Sequence, residues 1–310
     1  MMFTHEGVDY HGGWTPRPEE VDRILGTLPM PRAEGAACLG APAPTDIFFW
    51  DAEQEALQKL LPTWDQGQIG SCVSHGCGRA AQDVLVLQMA TGDLEEFDGE
   101  VAREPIYGGS KVQVGGEHTY QDGSVGAWAS KWLNQWGIIL YGSGQGQLSG
   151  YYDVGRCKQW GHDGVPDNFQ SAAKLHAVNT ITQVNTPEQA VDLLRNGYPI
   201  EICGSKGRTM QRQPGGWCPV RGSWDHCQCL RGTGIAKGGK PFVVYCNSWG
   251  DYLGSTNNTV DLESGKQVTL PPGHYLSTLD EIASELAQGD SFAYSHAVGY
   301  PARNFSWAVA

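Results

Sequence analysis

From Cys72 to Met89 the apolar positions Val73, Cys77, Ala80, Ala81, Val84, Leu85 and Met89 recur at helical spacing, and Gly92 follows as a stop. The pattern predicts a buried helix that begins at a cysteine. Two more helices are expected. One spans Val125–Trp136 and ends at Gly137. The other spans Thr186–Asn196, with Thr186 as cap, Pro187 in the first turn and Gly197 at its end. Shorter helical candidates lie near Glu19–Leu25 and over residues 52–61. Residues 93–122 read as loop-rich, and 141–172 show no clear period. Beyond residue 198 the pattern changes to short apolar runs, Pro199–Cys203, Cys227–Ile235 and Phe242–Asn247, which read as strands. Helices first and strands later predict an α+β domain of two lobes with a cleft between them. No internal repeat is evident.

Composition narrows the function classes. The 310 residues are 40% hydrophobic and 18% charged, a globular balance long enough to bury a substantial core. The net charge of −13 argues against a nucleic-acid partner. No apolar window is long enough for a membrane span. Met1 to Gly13 carries no basic flank followed by an apolar run, so no signal peptide is expected, and a cytoplasmic or virion-associated location fits best. The nine cysteines would suit one nucleophile plus four disulfides, or mostly free thiols.

The chemistry concentrates in Gln66-Gly67-Gln68-Ile69-Gly70-Ser71-Cys72. A thiol at a helix N-terminus lies at the positive end of the helix dipole, which favours the nucleophilic thiolate. A loop folding back brings the Gln66 amide beside the Cys72 backbone N–H, and the pair can hold a developing oxyanion. Gly70 and Ser71 let a backbone approach closely.

This segment resembles the Gln-Gly-x-x-Gly-Ser-Cys signature of papain-like cysteine peptidases. In the family's order, Asp225-His226 follows, then a strand, then Asn247-Ser248-Trp249-Gly250. A weaker match, Asp122-Gly123-Ser124 through Ala127, Leu133 and Gly137-Ile138, is similar to the glycine wall and the helix after it. The resemblance covers roughly residues 60–250. It implies a papain-like fold with a helical lobe built on the helix at Cys72 and a β-rich lobe carrying His226 and Asn247. His226 would act as general base and acid, with Asp225 beside it. Asn247 would fix the His226 tautomer, and Trp249 would cover that bond. The family generally has a cysteine where Ile69 stands, so its usual bridges are not implied and mostly free thiols are expected.

Competing features and departures accompany the match. His75 lies one helical turn from Cys72. His296-Ala297-Val298 imitates the family's His-Ala-Val strand but has no Asn-Ser-Trp-Gly after it. A zinc set drawn from His226, Cys227, Cys229 and Cys218 is a poor spacing match, so neither a metal nor a cofactor is expected. Val73 stands where the family usually has an aromatic. The Gly232–Lys240 stretch lengthens the gap to Asn247, and Ser255–Pro272 reads as an insertion before Gly273-His274-Tyr275.

The expected organisation is an N-terminal arm over 1–44, a papain-like domain over 45–276, and a C-terminal extension over 277–310. Within the domain, 45–197 would be mainly helical and 198–276 β-rich, with the insertion at 255–272. The arm reads as too short for the family's inhibitory propeptide. The expected activity is a thiol hydrolase that cleaves peptide bonds through Cys72, His226, Asn247 and Gln66. The alternative is a bacteriophage virion structural protein, capsid or tail, with the same fold and a dormant or assembly-only site. A cell-wall amidase or transglutaminase-like enzyme is a third reading. The partner would be a polypeptide substrate or a neighbouring structural protein, with 1–44 and 277–310 as assembly contacts.

Overall fold

The computed structural model describes residues 2–5, 8–28, 45–94, 99–209 and 211–299. Near the N-terminus, strands β1 (Met2–His5) and β2 (Val8–His11) pair antiparallel, and helix α1 (Pro18–Leu25) follows, with Pro18 in its first turn. Strand β3 (Ile47–Phe48) leads into helix α2 (Phe49–Leu57). Helix α3 runs from Cys72 to Ala90, so the nucleophile candidate is its first residue. Its residues are buried from Cys72 through Val86, on every face, as expected of a helix enclosed by both lobes.

Residues 93–122, read as loop-rich, contain helix α4 (Arg103–Gly108), which continues as a π-helical turn over Gly109–Val114. A Cβ on Gly109 would lie 2.1 Å from the Trp132 ring, so a glycine lets this turn reach the next helix. That helix, α5 (Gly126–Gln135), fulfils the Val125–Trp136 expectation. The aperiodic 141–172 stretch holds helices α6 (Val154–Asp163) and α7 (Asp167–Ala173). Helix α6 buries only Cys157, Trp160 and Gly161, too narrow a stripe to give a readable period. Its start is marked by the Asp153 carboxylate, which accepts the Arg156 N–H at 2.6 Å.

Strand β4 (Val178–Gln183) and helix α8 (Pro187–Arg195) come next, the latter capped by the Thr186 hydroxyl. Strands β5 (Ile200–Arg208), β6 (Val220–Ala236) and β7 (Lys240–Cys246) occupy the three predicted strand regions. The Ser255–Pro272 insertion is a small hairpin of β8 (Thr259–Asp261) and β9 (Gln267–Thr269). Its Val260, Leu262, Val268 and Leu270 pack with Phe48, Trp50 and Phe242. Strand β10 (His274–Thr278), helix α9 (Leu279–Leu286) and strand β11 (Phe292–Ala297) complete the described chain. Helix α9 begins in a reciprocal cap between Thr278 and Glu281.

The main sheet runs β10-β7-β6-β5-β11-β4, with β3 on β6. Residues 279–297 therefore do more than extend the fold, because β11 lies inside the sheet, between β5 and β4. The strands alternate faces. Cys203, Cys227, Cys229 and Tyr294 join the core around α3. Ile202, Leu230, Val243 and Tyr245 join the core under α8 and α9.

A buried ionic cluster joins α2, α3 and β6. The Arg231 guanidinium bonds Asp83 through Nε and Nη2 at 2.7 and 2.6 Å, and also bonds Glu53. Arg79 reaches Glu53 at 2.7 Å. Arg231 donates to His274 Nε2 at 2.9 Å, so that imidazole is neutral, with its proton on Nδ1 toward the Pro272 carbonyl. All eight cysteines among the described residues are buried and free.

Candidate active site

Local folding brings the sequence-predicted residues together. The Gln66 loop is zipped to the Asn247 loop by main-chain bonds: Gln66 N–H to the Ser248 carbonyl at 2.8 Å, and Gly250 N–H to the Trp64 carbonyl at 2.9 Å. The Ser248 hydroxyl donates to Gln66 Oε1 at 2.6 Å, which turns the amide nitrogen inward. Long strand β6 carries Asp225 and His226 toward the start of α3, and β7 delivers Asn247.

Asn247 Oδ1 accepts the Ser248 backbone N–H at 2.7 Å, which fixes the orientation of the amide. The same oxygen lies 2.7 Å from His226 Nε2, so Nε2 carries the proton. Nδ1 is left as the basic nitrogen, buried and without a hydrogen-bond partner among the described residues. Trp249 stacks on the imidazole at 4.5 Å between centroids, and Trp224 meets it edge-on at 5.4 Å.

Cys72 is fully buried. Burial pushes its thiol up to about 12, although the N–H groups of Cys227 and Gly13 both point at the sulfur and oppose the shift. Burial also pushes His226 down to about 4. Both groups are therefore neutral here, and the thiolate expected from the helix dipole is outweighed by desolvation.

That burial comes from part of the N-terminal arm, which the sequence reading placed at 1–44 as an assembly contact. Residues 11–15 cross the site. Gly13 N–H donates to Cys72 Sγ at 3.1 Å. Gln66 Nε2 donates to the His11 carbonyl and the Ile69 carbonyl, each at 2.7 Å. Trp14 pairs with Ser124 as in a parallel sheet, through Thr15 N–H to the Ser124 carbonyl and Ser124 N–H to the Gly13 carbonyl, both 2.8 Å. Trp14 N–H reaches the Asp225 carbonyl at 3.3 Å.

Gly70, expected to permit close approach, does so toward the arm: a Cβ on Gly13 would lie 1.9 Å from the Gly70 carbonyl oxygen. Gly70 N–H is held by Asp122 at 2.9 Å, and the Ser71 hydroxyl bonds Tyr152 at 3.0 Å. The buried Asp290 carboxylate accepts the Gly126 and Ala127 N–H groups at the start of α5 and the Trp14 indole N–H at 2.7 Å. The available signal for the arm was Gly12-Gly13 before a tryptophan. Asp290 had no sequence signal.

The competing histidines are placed elsewhere. His75 Nδ1 pairs with the Ser71 carbonyl at 3.0 Å and its ring packs against Tyr152. His296 is exposed on β11. The zinc set read from sequence does not converge. Cys218 packs in the core under α8 and α9, whereas Cys227 and Cys229 face α3.

No protein-family model matches the chain, and no curated protein matches it. Solved structures do. Xylellain, a cysteine protease from Xylella fastidiosa, is 14% identical with a TM-score of 0.54, over 92% of this chain and 91% of that one. Procathepsin B S9 from Trypanosoma congolense is 13% identical with a TM-score of 0.56, over 93% and 86%. Digestive procathepsin L2 from Tenebrio molitor larval midgut is 14% identical with a TM-score of 0.51, over 93% and 78%. The chain has the two-lobed α+β fold of papain-like cysteine proteases, as the sequence resemblance implies.

Proposed function

We propose that the chain is a thiol peptidase acting on extended polypeptide, shut in this conformation by its own residues 11–15. The carrying observation is the way the cleft holds that segment. It binds main-chain groups, with a carbonyl on Gln66 Nε2, an N–H on the Cys72 sulfur and a β-type pairing on Ser124. A surface that grips backbone at the nucleophile suits a peptide substrate.

With the segment displaced, Cys72 would attack the substrate carbonyl as its proton passes to His226 Nδ1. Gln66 Nε2, freed from His11, would donate to the forming oxyanion. His226 would return the proton to the departing amine, leaving a thioester that water then hydrolyses. Asn247 holds the imidazole in the needed tautomer throughout. All of these groups belong to the chain itself.

The test is competitive alkylation with limiting iodoacetamide at mildly acidic pH, mapped peptide by peptide, on the full chain and on one lacking residues 1–15. The proposal expects Cys72 to be labelled slowly in the full chain and selectively after the deletion, with His226→Ala removing the selectivity. Uniform slow labelling in both chains overturns it, and favours the structural role in a particle that the same fold would permit.

A further inference from the structure

Beneath the catalytic cleft, three side chains converge that the proposed peptidase does not use. Glu201 and Cys203 lie on one face of β5, and Cys227 stands directly opposite Cys203 on β6. All three are fully buried. Their donor atoms lie within 4.8 Å of one another. Both thiols point at the same carboxyl oxygen: Cys227 Sγ is 3.5 Å and Cys203 Sγ 3.7 Å from Glu201 Oε1. The other oxygen, Oε2, is held by the Tyr294 hydroxyl and, at 3.4 Å, by Ser130. Among the described residues no arginine or lysine pairs with this carboxyl, in contrast to Glu53, Glu104 and Glu285. A buried carboxyl with no cation, facing two thiols, is a costly arrangement unless it stays protonated or a cation joins it.

We propose that Glu201, Cys203 and Cys227 form a structural site for a thiophilic divalent cation, zinc being the fitting ion. Bond lengths of about 2.3 Å to sulfur and about 2.1 Å to oxygen give a tetrahedral S···O edge of about 3.6 Å. The two observed S···O separations match that edge. The Tyr294 and Ser130 hydroxyls hold the free carboxylate oxygen, the outer-shell support that such sites use.

Three donors are in place, and the fourth would be supplied by the Cys77 thiol of α3, which lies outside that 4.8 Å set and has to turn toward the ion on binding. The Cys77 thiol is 3.5 Å from the Tyr294 hydroxyl that itself donates to Glu201, and it faces the cluster across the helix–sheet contact. Gly76 makes this contact close, because a Cβ there would lie 2.8 Å from Cys227 Sγ. Binding exchanges the proton of each ligating thiol and any carboxyl proton for the metal and releases them to solvent, with no change of oxidation state. Since the ligands are sealed from solvent, loading accompanies folding. The ion would then clamp β5 to β6 one residue from His226.

The experiment uses full-length Cys72→Ser protein, which removes the nucleophile as a competing ligand. It is refolded with excess zinc, or with cobalt as spectroscopic probe, and desalted. Metal content is measured by mass spectrometry of the element. We expect one ion per chain and a thiolate-to-cobalt charge-transfer band. Adding Cys203→Ser or Cys227→Ser should lower affinity by about tenfold or more, since even outer-shell losses reach that range.

If the serine variants do not fold, Glu201→Gln keeps size and hydrogen-bonding capacity, and it should fold with metal affinity reduced on the same scale. The site is refuted by absence of retained metal in the Cys72→Ser chain or by undiminished affinity in folded Glu201→Gln. A Cys203–Cys227 disulfide, seen as the loss of two hydrogens reversible by reductant, also refutes it.

Discussion

Gly13 presents its backbone N–H to the Cys72 sulfur at 3.1 Å, so the residue that shuts the site is a glycine touching the nucleophile itself. The contact is possible only without a side chain, because the Gly70 carbonyl is in the way of a Cβ. Gly13→Ala should expel the arm locally without altering any residue of the site. Water then reaches a thiol that burial holds up at about 12. Each pKa unit recovered raises the thiolate fraction about tenfold. Alkylation of Cys72 should therefore accelerate by at least one such step. An unchanged rate would mean that the arm does not control the thiol.

Gln66 and His226 should separate in kinetics measured on the arm-deleted chain with a peptide amide. Gln66→Ala removes a donor needed only as the oxyanion forms, and should cost about 10²–10³-fold in kcat with little change in KM. His226→Ala should cost about 10²–10⁴-fold. Asn247→Ala leaves the imidazole free to adopt either tautomer and should cost less than His226→Ala. Equal, negligible effects of all three would remove the proposed site.

Arg231 neutralises Asp83 and Glu53 in the interior. Arg231→Met should take both close bonds from Asp83, leaving Glu53 to Arg79, and lower unfolding stability by about 3–5 kcal/mol. Urea denaturation of the two proteins checks this, and a loss near zero would show the cluster to be dispensable.

Acid should destabilise the fold through its buried neutral histidines. Burial and Arg103 push His75 down to about 3, and burial with Arg231 holds His274 well below its ordinary value. The unfolded chain takes up these protons near pH 6.5, and the folded chain does so only far lower. Between those values the unfolded state binds more protons, so stability falls as pH drops and the loss is complete only below the folded values. The slope per histidine is at most about 1.4 kcal/mol per pH unit. His75→Gln should flatten the dependence of the urea midpoint on pH over that window. A slope identical to the parent's would contradict the shift.

The sequence made the two ends of the site legible because their chemistry is local. Cys72 heads a periodic helix, and His226 and Asn247 each sit in a short signature beside a strand. The helices at Arg103, Val154 and Asp167 were illegible, since the first is buried on every side and the other two bury only three residues and one, so none shows a helical period. The arm's role was hidden for a different reason. A backbone N–H donated to a sulfur, and a carbonyl that accepts from Gln66, involve no side chain of residues 11–13. Only the paired glycines at 12 and 13 betray them. Asp290 likewise acts across 163 positions on Ala127, a relationship that no window of sequence contains.

The placement of β11 has a consequence for synthesis on the ribosome. Among the described residues, strand β4 reaches the sheet only through β11, which follows it in synthesis. The strand over Val178–Gln183 must therefore wait, edge unpaired, for more than a hundred further residues to emerge. Asp290, which anchors both α5 and the Trp14 indole, arrives just before β11. Trp14 thus acquires this anchor only after Asp290 is made, so a nascent chain interrupted before residue 290 would carry its nucleophile without this hold on the arm that covers it.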